Sequence, residues 1–566
     1  MMITRHFISL GFGQVHYRRA GRGPVIVLLH QSPSSSEELV PMMRALAGDF
    51  TVIAPDNPGF GLSDPLPQDW PEMEDFAAAL VQFFDALGLK TPCVYGFHTG
   101  AMIAAALAHR FPDRVAAAIM DGYVILSQQE KEDKLAHYFE PPFVPKADGT
   151  HMAWAWSRFR DQSIFYPWYK REKAARMTYD VSPPEKVQNY VMGFLRAGER
   201  GMRGYRAAFT FDAARAVKEF TPPCFIMAGA HDPVAAYLKR LPSDVSPSVY
   251  VARYASPQAR LVKVREICKA HTGDAFADPA PSVRYSADRL IWREMEGADG
   301  AKLAIRRTGG NQEAQTPVLF IHGAGGSSLS FTDLLPGFVG RRDLLMPDLP
   351  GHGDTGAIEG VEISVDQAAE SLAHVLGQRH VKSVDVVAQG SGGQIALALA
   401  LAQPGQVRRL VLCDVWFFDA AACAELRDHL APPLTPLWYG GHMMEAWGIV
   451  RDGELFWPWY APKIANEIAR EPVLDPVLLQ ERAVDLLKAA PHHRALTHSI
   501  LDMDVRSALE RVTQPLLLGA DAGSPHFDRT KKACDLAPTA RFETLPDARA
   551  AWAQKMMAFF DEGGEK

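Results

Sequence analysis

The distribution of apolar residues over the first hundred positions is typical of alternating strands and helices. Two apolar runs without polar alternation, Val25 to Leu29 and Thr51 to Asp56, indicate strands covered on both faces. An alternating segment from Arg5 to Arg19 indicates two strands joined by a glycine-containing turn. A helical pattern from Met73 to Leu87 precedes a further strand, Cys93 to Tyr95. Strands that alternate with helices predict a doubly wound sheet.

This architecture occurs twice along the chain. Three pairs of residues lie 292 positions apart: His30 and His322, Asp56 and Asp348, and His98 and Gly390. A long insertion is repeated as well, with pairs 291 positions apart: His151 and His442, Arg160 and Arg451, Phe165 and Phe456, and Trp168 and Trp459. A proline-rich stretch, Ala277 to Ser282, marks the joint. We predict domains at 1–282 and 283–566, with caps at about 123–220 and 415–512.

The order of the motifs resembles the α/β-hydrolase fold superfamily. Each repeat has a strand, a His-Gln or His-Gly turn, a strand that ends in Asp-x-Pro-Gly-x-Gly, and a strand that runs into a glycine-flanked turn. The resemblance covers nearly the whole chain twice. It implies two tandem α/β-hydrolase folds, each a doubly wound, mostly parallel sheet with an inserted helical cap. Activities in the superfamily range from esterases to lyases and cofactor-free oxygenases, so the fold alone does not define the reaction.

The resemblance implies a nucleophile on the tight turn between a strand and a helix. In the first repeat this elbow reads Gly-Phe-His-Thr-Gly, so His98 holds the nucleophile position. In the second repeat the register of the following helix places Gly390 there. Ser391 would reach the position only if the elbow shifted by one residue.

The remaining triad positions are incomplete. The resemblance implies an acid in a Gly-x-x-Asp segment, which the first repeat supplies as Asp232, whereas the second repeat has Asp521, one place early. The triad histidine is missing from residues 254–261 and from residues 545–552. His271 falls beyond the final helix of the first repeat. We therefore prefer to interpret it as a surface or interface histidine, and a catalytic role is the second interpretation.

These departures suggest a rearranged site in the first repeat. An imidazole extends further than a serine hydroxyl, so His98 could bond Asp232 directly and serve as a general acid and base. The backbone N–H groups of Gln31 and Thr99 would form the oxyanion hole. The alternative is a site without activity, in which the same two side chains are merely a buried pair.

Aromatic residues recur in both caps. Trp156, Tyr166 and Trp168 are candidates for the first cap or its pocket. Packing of a small helical cap explains the pattern of large aromatics by itself. The functional interpretation is that they line the roof of a pocket, or that the two caps meet across a pseudo-twofold interface.

Composition limits the partners. The chain has 566 residues, a formal net charge of −7 and six scattered cysteines, which argues against nucleic-acid binding and against a disulfide framework. Without an apolar leader or an 18-residue apolar run, we expect no membrane partner and a cytoplasmic location. His30 and His322 stand where the superfamily has a structural histidine. We expect no metal, no cofactor, a small-molecule substrate, and two domains that pack on each other, with further oligomerisation left open.

The leading hypothesis is an enzyme that acts on a small organic carbonyl or ester compound through His98 and Asp232, with the second domain as a pseudo-copy. Hydrolysis, lyase chemistry and cofactor-free oxygenation stay open. Two alternatives are a non-catalytic ligand-binding or interaction protein and a serine hydrolase that uses Ser391.

Overall fold

Strand pairing follows the two repeats of the sequence. A computed structural model describes residues 2–273, 276, 291–296, 302–308, 315–358 and 360–562. These residues form two compact units, each built on one sheet of eight strands. The predicted boundary between residues 282 and 283 lies outside the described residues. No helix within the described ranges combines the length and the apolar character that a membrane span requires.

The sheet of the first unit has the order β1-β2-β4-β3-β5-β6-β7-β8. Its first pairs, β1 with β2 and β2 with β4, are antiparallel, and all later pairs are parallel. The strands are β1 Ile3–Leu10, β2 Gly13–Ala20, β3 Val25–Leu29, β4 Thr51–Pro55, β5 Cys93–Phe97, β6 Ala117–Asp121, β7 Cys224–Gly229 and β8 Val249–Tyr254.

Helices cover both faces of this sheet, and five of them form a cap between β6 and β7. The helices are α1 Val40–Leu46, α2 Met73–Ala86, α3 Thr99–Arg110, α4 Gln128–His137, α5 Thr150–Gln162, α6 Pro184–Ala197, α7 Gly201–Thr210, α8 Ala213–Glu219 and α9 Pro257–Ala270. The β3 strand is apolar throughout because both of its faces are covered by helices. Val27 packs with α2 and α3 on one face, while Ile26 and Leu28 pack with α1 and α9 on the other.

The second unit repeats the plan, with the order β16-β15-β14-β13-β11-β12-β10-β9. Its strands are β9 Ile291–Glu296, β10 Leu303–Thr308, β11 Val318–Ile321, β12 Leu344–Pro347, β13 Val384–Gln389, β14 Val407–Cys413, β15 Leu516–Asp521 and β16 Ala540–Leu545. Its helices are α10 Val365–Gln378, α11 Gly392–Ala402, α12 Ala420–His429, α13 Gly441–Asp452, α14 Pro476–Asp502, α15 Val505–Arg511, α16 Phe527–Cys534 and α17 Trp552–Asp561. The predicted fold class, two tandem α/β-hydrolase folds with inserted helical caps, is confirmed.

Candidate active site

His98 is the single residue between β5 and α3. Its backbone has a φ of +48° and a ψ of −106°, a strained conformation that aims the side chain out of the end of the sheet. The N–H of His98 donates to the carbonyl of Asp121 at the end of β6, at 2.8 Å. A Cβ on Gly96 would lie 2.1 Å from the Gly100 carbonyl oxygen, and one on Gly100 would lie 2.4 Å from that of Leu29. The two glycines of the motif are therefore required by close backbone packing.

The structure brings His98 and Asp232 together. Nε2 of His98 lies 2.8 Å from Oδ2 of Asp232, which follows β7 and begins the 3₁₀ segment Pro233–Arg240. The N–H of Val234 donates to the other carboxylate oxygen, Oδ1, at 3.0 Å. The ring of Phe97 stacks on the imidazole, with the ring centres 4.2 Å apart. Both members of the pair are thus held in position by neighbouring residues.

Electrostatics favour the charged forms of this pair. Burial is the largest influence on the pKa of His98 and lowers it, but the Coulombic attraction and hydrogen bond of Asp232 outweigh burial, and the pKa lies above its ordinary value. Burial raises the pKa of Asp232, and attraction to His98 more than offsets it, so that pKa is lowered. An ionised carboxylate only accepts hydrogen bonds. Nε2 of His98 is therefore the donor, and Nδ1 is the nitrogen that can take a proton.

The two predicted oxyanion-hole donors differ. Thr99 begins α3, where the first N–H groups of a helix have no intrahelical partner. The N–H of Gln31, in contrast, donates to Oε1 of Glu38 at 2.8 Å, and the Gln31 side-chain amide donates to Oε2 at 3.1 Å and to the Tyr190 hydroxyl at 3.1 Å. The prediction that the Gln31 N–H is available for an oxyanion is wrong for this structure, because a carboxylate seven residues later already accepts from it.

A cavity of about 400 Å³ adjoins the pair. His98 and Asp232 both line it, and 29% of the His98 side chain remains exposed. Nine aromatic side chains from β5 and from the cap line the cavity: Phe97, Tyr138, Phe159, Tyr166, Trp168, Tyr179, Tyr190, Tyr205 and Phe209. Of the three predicted cap aromatics, Tyr166 and Trp168 line the cavity, whereas Trp156 does not and is buried on α5.

Two other histidines of the first domain, His271 and His30, lie away from the pair. His271 follows α9 and packs against Phe225, and its carbonyl accepts from the thiol of Cys93 at 2.9 Å. Because Cys93 begins β5, His271 lies at the opposite end of the strands from His98 and does not reach the cavity. His30 accepts from the N–H of Asn57 at 2.8 Å and is fully buried. Its role in tying two loops together is structural, as predicted.

The second copy keeps the backbone of the elbow without its side chain. Gly390 has a φ of +55° and donates to the carbonyl of Cys413 at 2.9 Å, which is the register of His98 and Asp121 in the first copy. The hydroxyl of Ser391 accepts from the N–H of Ala324 at 3.0 Å, just as the Thr99 hydroxyl accepts from the N–H of Ser32 in the first copy, at 3.4 Å. The shift by one residue that the Ser391 hypothesis requires is therefore not present.

The acid of the second copy is also relocated. The pairing of β14 with β15 repeats that of β6 with β7 at a spacing of 292 residues, so Ser524 stands where the first copy has Asp232, and Asp521 lies three places earlier and not one. At the same spacing, Asp414 stands where the first copy has Gly122. The Ser524 hydroxyl donates to Oδ1 of Asp414 at 2.5 Å beside a cavity of about 300 Å³. Asp521, the early carboxylate, accepts from the N–H of Gly523 at 3.0 Å and does not line that cavity.

Comparison with known proteins identifies the family of the chain. The sequence profile of the alpha/beta hydrolase fold matches residues 24–254 and 316–437. The chain belongs to the α/β-hydrolase fold family. Its shared turns, elbows and caps are thus the inherited features of an α/β-hydrolase, and the residues at the elbows are where both of its copies depart from a serine nucleophile.

Individual relatives match parts of this α/β-hydrolase. A stretch of 102 residues is 33% identical to the sn-1-specific diacylglycerol lipase ABHD11 of Danio rerio, covering 18% of this chain and 32% of that protein. A stretch of 108 residues is 33% identical to haloalkane dehalogenase 2 of Mycobacterium tuberculosis, covering 19% of this chain and 38% of that protein. The chain therefore spans about a third of the length of these relatives. The structure of epoxide hydrolase A from Mycobacterium thermoresistibile matches with a TM-score of 0.39 and 19% identity, over 48% of this chain and 100% of that chain.

Proposed function

We propose that the first domain is an enzyme that acts on a small organic carbonyl or ester compound by general acid–base catalysis. His98 is the base, and Asp232 orients it and stabilises its protonated form. The observation that carries this proposal is the 2.8 Å contact between Nε2 of His98 and Oδ2 of Asp232 in the wall of the aromatic cavity. A positioned imidazole next to a mostly apolar cavity is the arrangement that proton transfer to a small substrate requires.

The proton path follows from the tautomer. Nδ1 of His98 accepts a proton, either from a water molecule as its oxygen attacks the carbonyl carbon or from a carbon next to the carbonyl. The imidazolium that forms is paired with Asp232. The negative charge that develops on the carbonyl oxygen is stabilised by the N–H of Thr99 and the first turn of α3. The same proton then returns to the leaving alkoxide or to carbon, so no covalent enzyme intermediate is needed.

The choice between the two reactions depends on the substrate. The two relatives named above are a lipase and a dehalogenase, which supports testing hydrolysis first. In the second domain, Gly390 offers no ionisable side chain, so we assign that domain no chemistry.

A substrate screen with a matched variant tests the proposal. Small esters, β-diketones and enolisable ring compounds are offered to the full chain and to His98→Asn, which keeps a polar side chain of related size. We expect at least one compound to be turned over, at a rate that falls about 100-fold or more in the variant. Equal turnover by both proteins would overturn the assignment of His98. Binding without turnover of any compound would favour a ligand-binding protein.

A further inference from the structure

Three ionisable side chains of the cavity wall, besides the tyrosines, take no part in the proposed mechanism: Lys134, Lys186 and His231. Lys186 and His231 are exposed, whereas Lys134 is buried. Lys134 is the only buried residue of α4, with 3% of its surface exposed. Its Nζ lies 4.6 Å from the ring centre of Tyr166 and 5.4 Å from that of Phe209. Lys134 and His98 contribute to the same cavity wall. The cation is therefore held inside an aromatic enclosure next to the candidate catalytic pair.

Lys134 forms no ion pair with the carboxylates around it in the described part of the chain. Its nearest carboxylates belong to Glu130 and Asp133 on the same helix, but Glu130 pairs with Arg240, and Asp133 pairs with Lys170 at 2.8 Å. Within the part of the chain that the structure describes, Lys134 has no ion pair of its own. Burial lowers the pKa of Lys134 to about 8, which still leaves the ammonium form in the majority at pH 7.

The second domain has an apolar residue at the position that corresponds to Lys134. The helix that corresponds to α4 is α12, 292 positions later, and its only buried residue is Leu426, also 3% exposed. Lys134 thus replaces an ordinary apolar packing residue. The same exchange occurs on α5, where the fully buried Arg158 corresponds to Ile449, 291 positions later.

Arg158 adds to the positive charge of this cap. Its guanidinium lies 4.4 Å from the ring centre of Phe159 and 5.0 Å from that of Trp168, both of which line the cavity. It donates to Gln162 at 3.1 Å, but its Nε and Nη2 are buried without a hydrogen-bond partner. Burying a charge without an ion pair is costly. Among the described residues, neither Lys134 nor Arg158 has a carboxylate within ion-pair distance, and the ionised Asp232 in the same cavity wall pairs with His98.

We propose that the substrate of the first domain carries a carboxylate that pairs with the ammonium group of Lys134, while its reacting carbonyl lies at His98. The proposal rests on the proposed function for the position of the carbonyl, but the carboxylate site itself is defined by binding and not by turnover. The substrate class is accordingly a keto acid or an ester acid with an apolar or aromatic body that fills the cavity.

Calorimetric titration of the full chain with benzoylpropionate and its methyl ester tests this assignment. The two probes share the aromatic ring and the ketone and differ in the negative charge. We expect the unmodified chain to bind the acid about 10-fold or more tightly than the ester, which is the effect of one charge-assisted hydrogen bond. Lys134→Leu, the residue of the second domain, removes that preference, and Lys134→Arg retains it.

Two further variants separate the possible failures. Lys131→Leu removes a lysine of the same helix that does not line the cavity, so it keeps the preference for the acid. His98→Asn also keeps the preference, because the carboxylate is bound at the other residue. A preference that persists in a folded Lys134→Leu protein, or an unmodified chain that does not bind the acid more tightly than the ester at millimolar concentration, overturns the carboxylate site. Loss of turnover without loss of preference would leave this site standing and count only against the proposed reaction.

Discussion

Gly122 leaves the space that the imidazole of His98 fills. A Cβ on Gly122 would lie 2.3 Å from Cδ2 of His98, and the φ of Gly122 is +87°. In the second copy the arrangement is reversed, because the elbow residue is Gly390 and Asp414 stands at the position of Gly122. In the first domain the side chain is at the elbow and the glycine follows β6. In the second domain the glycine is at the elbow and the side chain, that of Asp414, follows β14.

Gly122→Ala is expected to disable the site from outside the catalytic pair. The added methyl group collides with the His98 ring, and a positive φ is unfavourable for alanine, so the imidazole has to leave Asp232. We expect turnover to fall about 100-fold, as for the loss of the base itself, while the cavity still binds ligand. Turnover assays together with calorimetric binding check this. Full activity in a folded Gly122→Ala protein would show that the observed position of His98 is not needed.

The pH dependence of turnover should report the His98–Asp232 contact. The neutral imidazole is the base, so kcat/KM rises with pH, and its midpoint lies above 6.5 because the pKa of His98 is raised. In Asp232→Asn the attraction is lost but burial remains, and burial lowers the pKa of a histidine. Asp121 and Glu38 still raise the pKa of His98 in this variant. We therefore expect the midpoint to move to lower pH than in the unmodified chain and turnover to fall at all pH values. A pH profile with an unchanged midpoint would contradict a role for Asp232 in tuning His98.

Serine-directed reagents should not react with the second domain. The Ser391 hydroxyl accepts a hydrogen bond from the Ala324 N–H, and Gly390 holds the elbow. We expect a fluorophosphonate probe to leave Ser391 unlabelled, as mass spectrometry of the digested protein would show. Stoichiometric labelling of Ser391 would revive the serine hydrolase hypothesis.

Gly390→Ala provides a control in the non-catalytic copy. A Cβ there would lie 3.4 Å from Nε1 of Trp416, so there is room for the methyl group, but the φ of +55° is strained for alanine. We expect a loss of about 1–2 kcal/mol in the free energy of unfolding and no change in turnover by the first domain. Thermal unfolding and the substrate assay measure the two effects separately. A loss of turnover comparable to that of His98→Asn would mean that the second elbow takes part in the reaction.

The sequence predicts the parts of this site that depend on motif register. The glycines of the elbow define the place of His98, and the Gly-x-x-Asp segment defines that of Asp232, so their proximity follows from the fold. The contact between Gln31 and Glu38 depends on the direction of one side chain in a loop, which no spacing encodes.

The sequence pattern does not identify Lys134 as a buried residue, and the reason is the composition of its helix. The helix α4 has the sequence Gln-Gln-Glu-Lys-Glu-Asp-Lys-Leu-Ala-His, which is polar on almost every face. Hydrophobic periodicity therefore cannot identify its buried position. The repeat contains the missing signal, because the equivalent helix buries Leu426. Residue type alone does not distinguish Trp156 from Trp168. Both rings are buried, and only the packing of the cap places Trp168 in the cavity wall and Trp156 away from it.

The hydrogen bond between Gln31 and Glu38 has a consequence for how a reaction cycle begins. The carboxylate of Glu38 competes with a substrate oxyanion, because it already accepts from the Gln31 N–H that the oxyanion would need. An incoming substrate meets one occupied donor, at Gln31, and one helix N-terminus, at Thr99. Displacing Glu38 then becomes part of ligand entry. A ligand whose oxygen accepts a hydrogen bond less well than the Glu38 carboxylate does not gain the Gln31 N–H, and it is bound only by its contacts with the rest of the cavity.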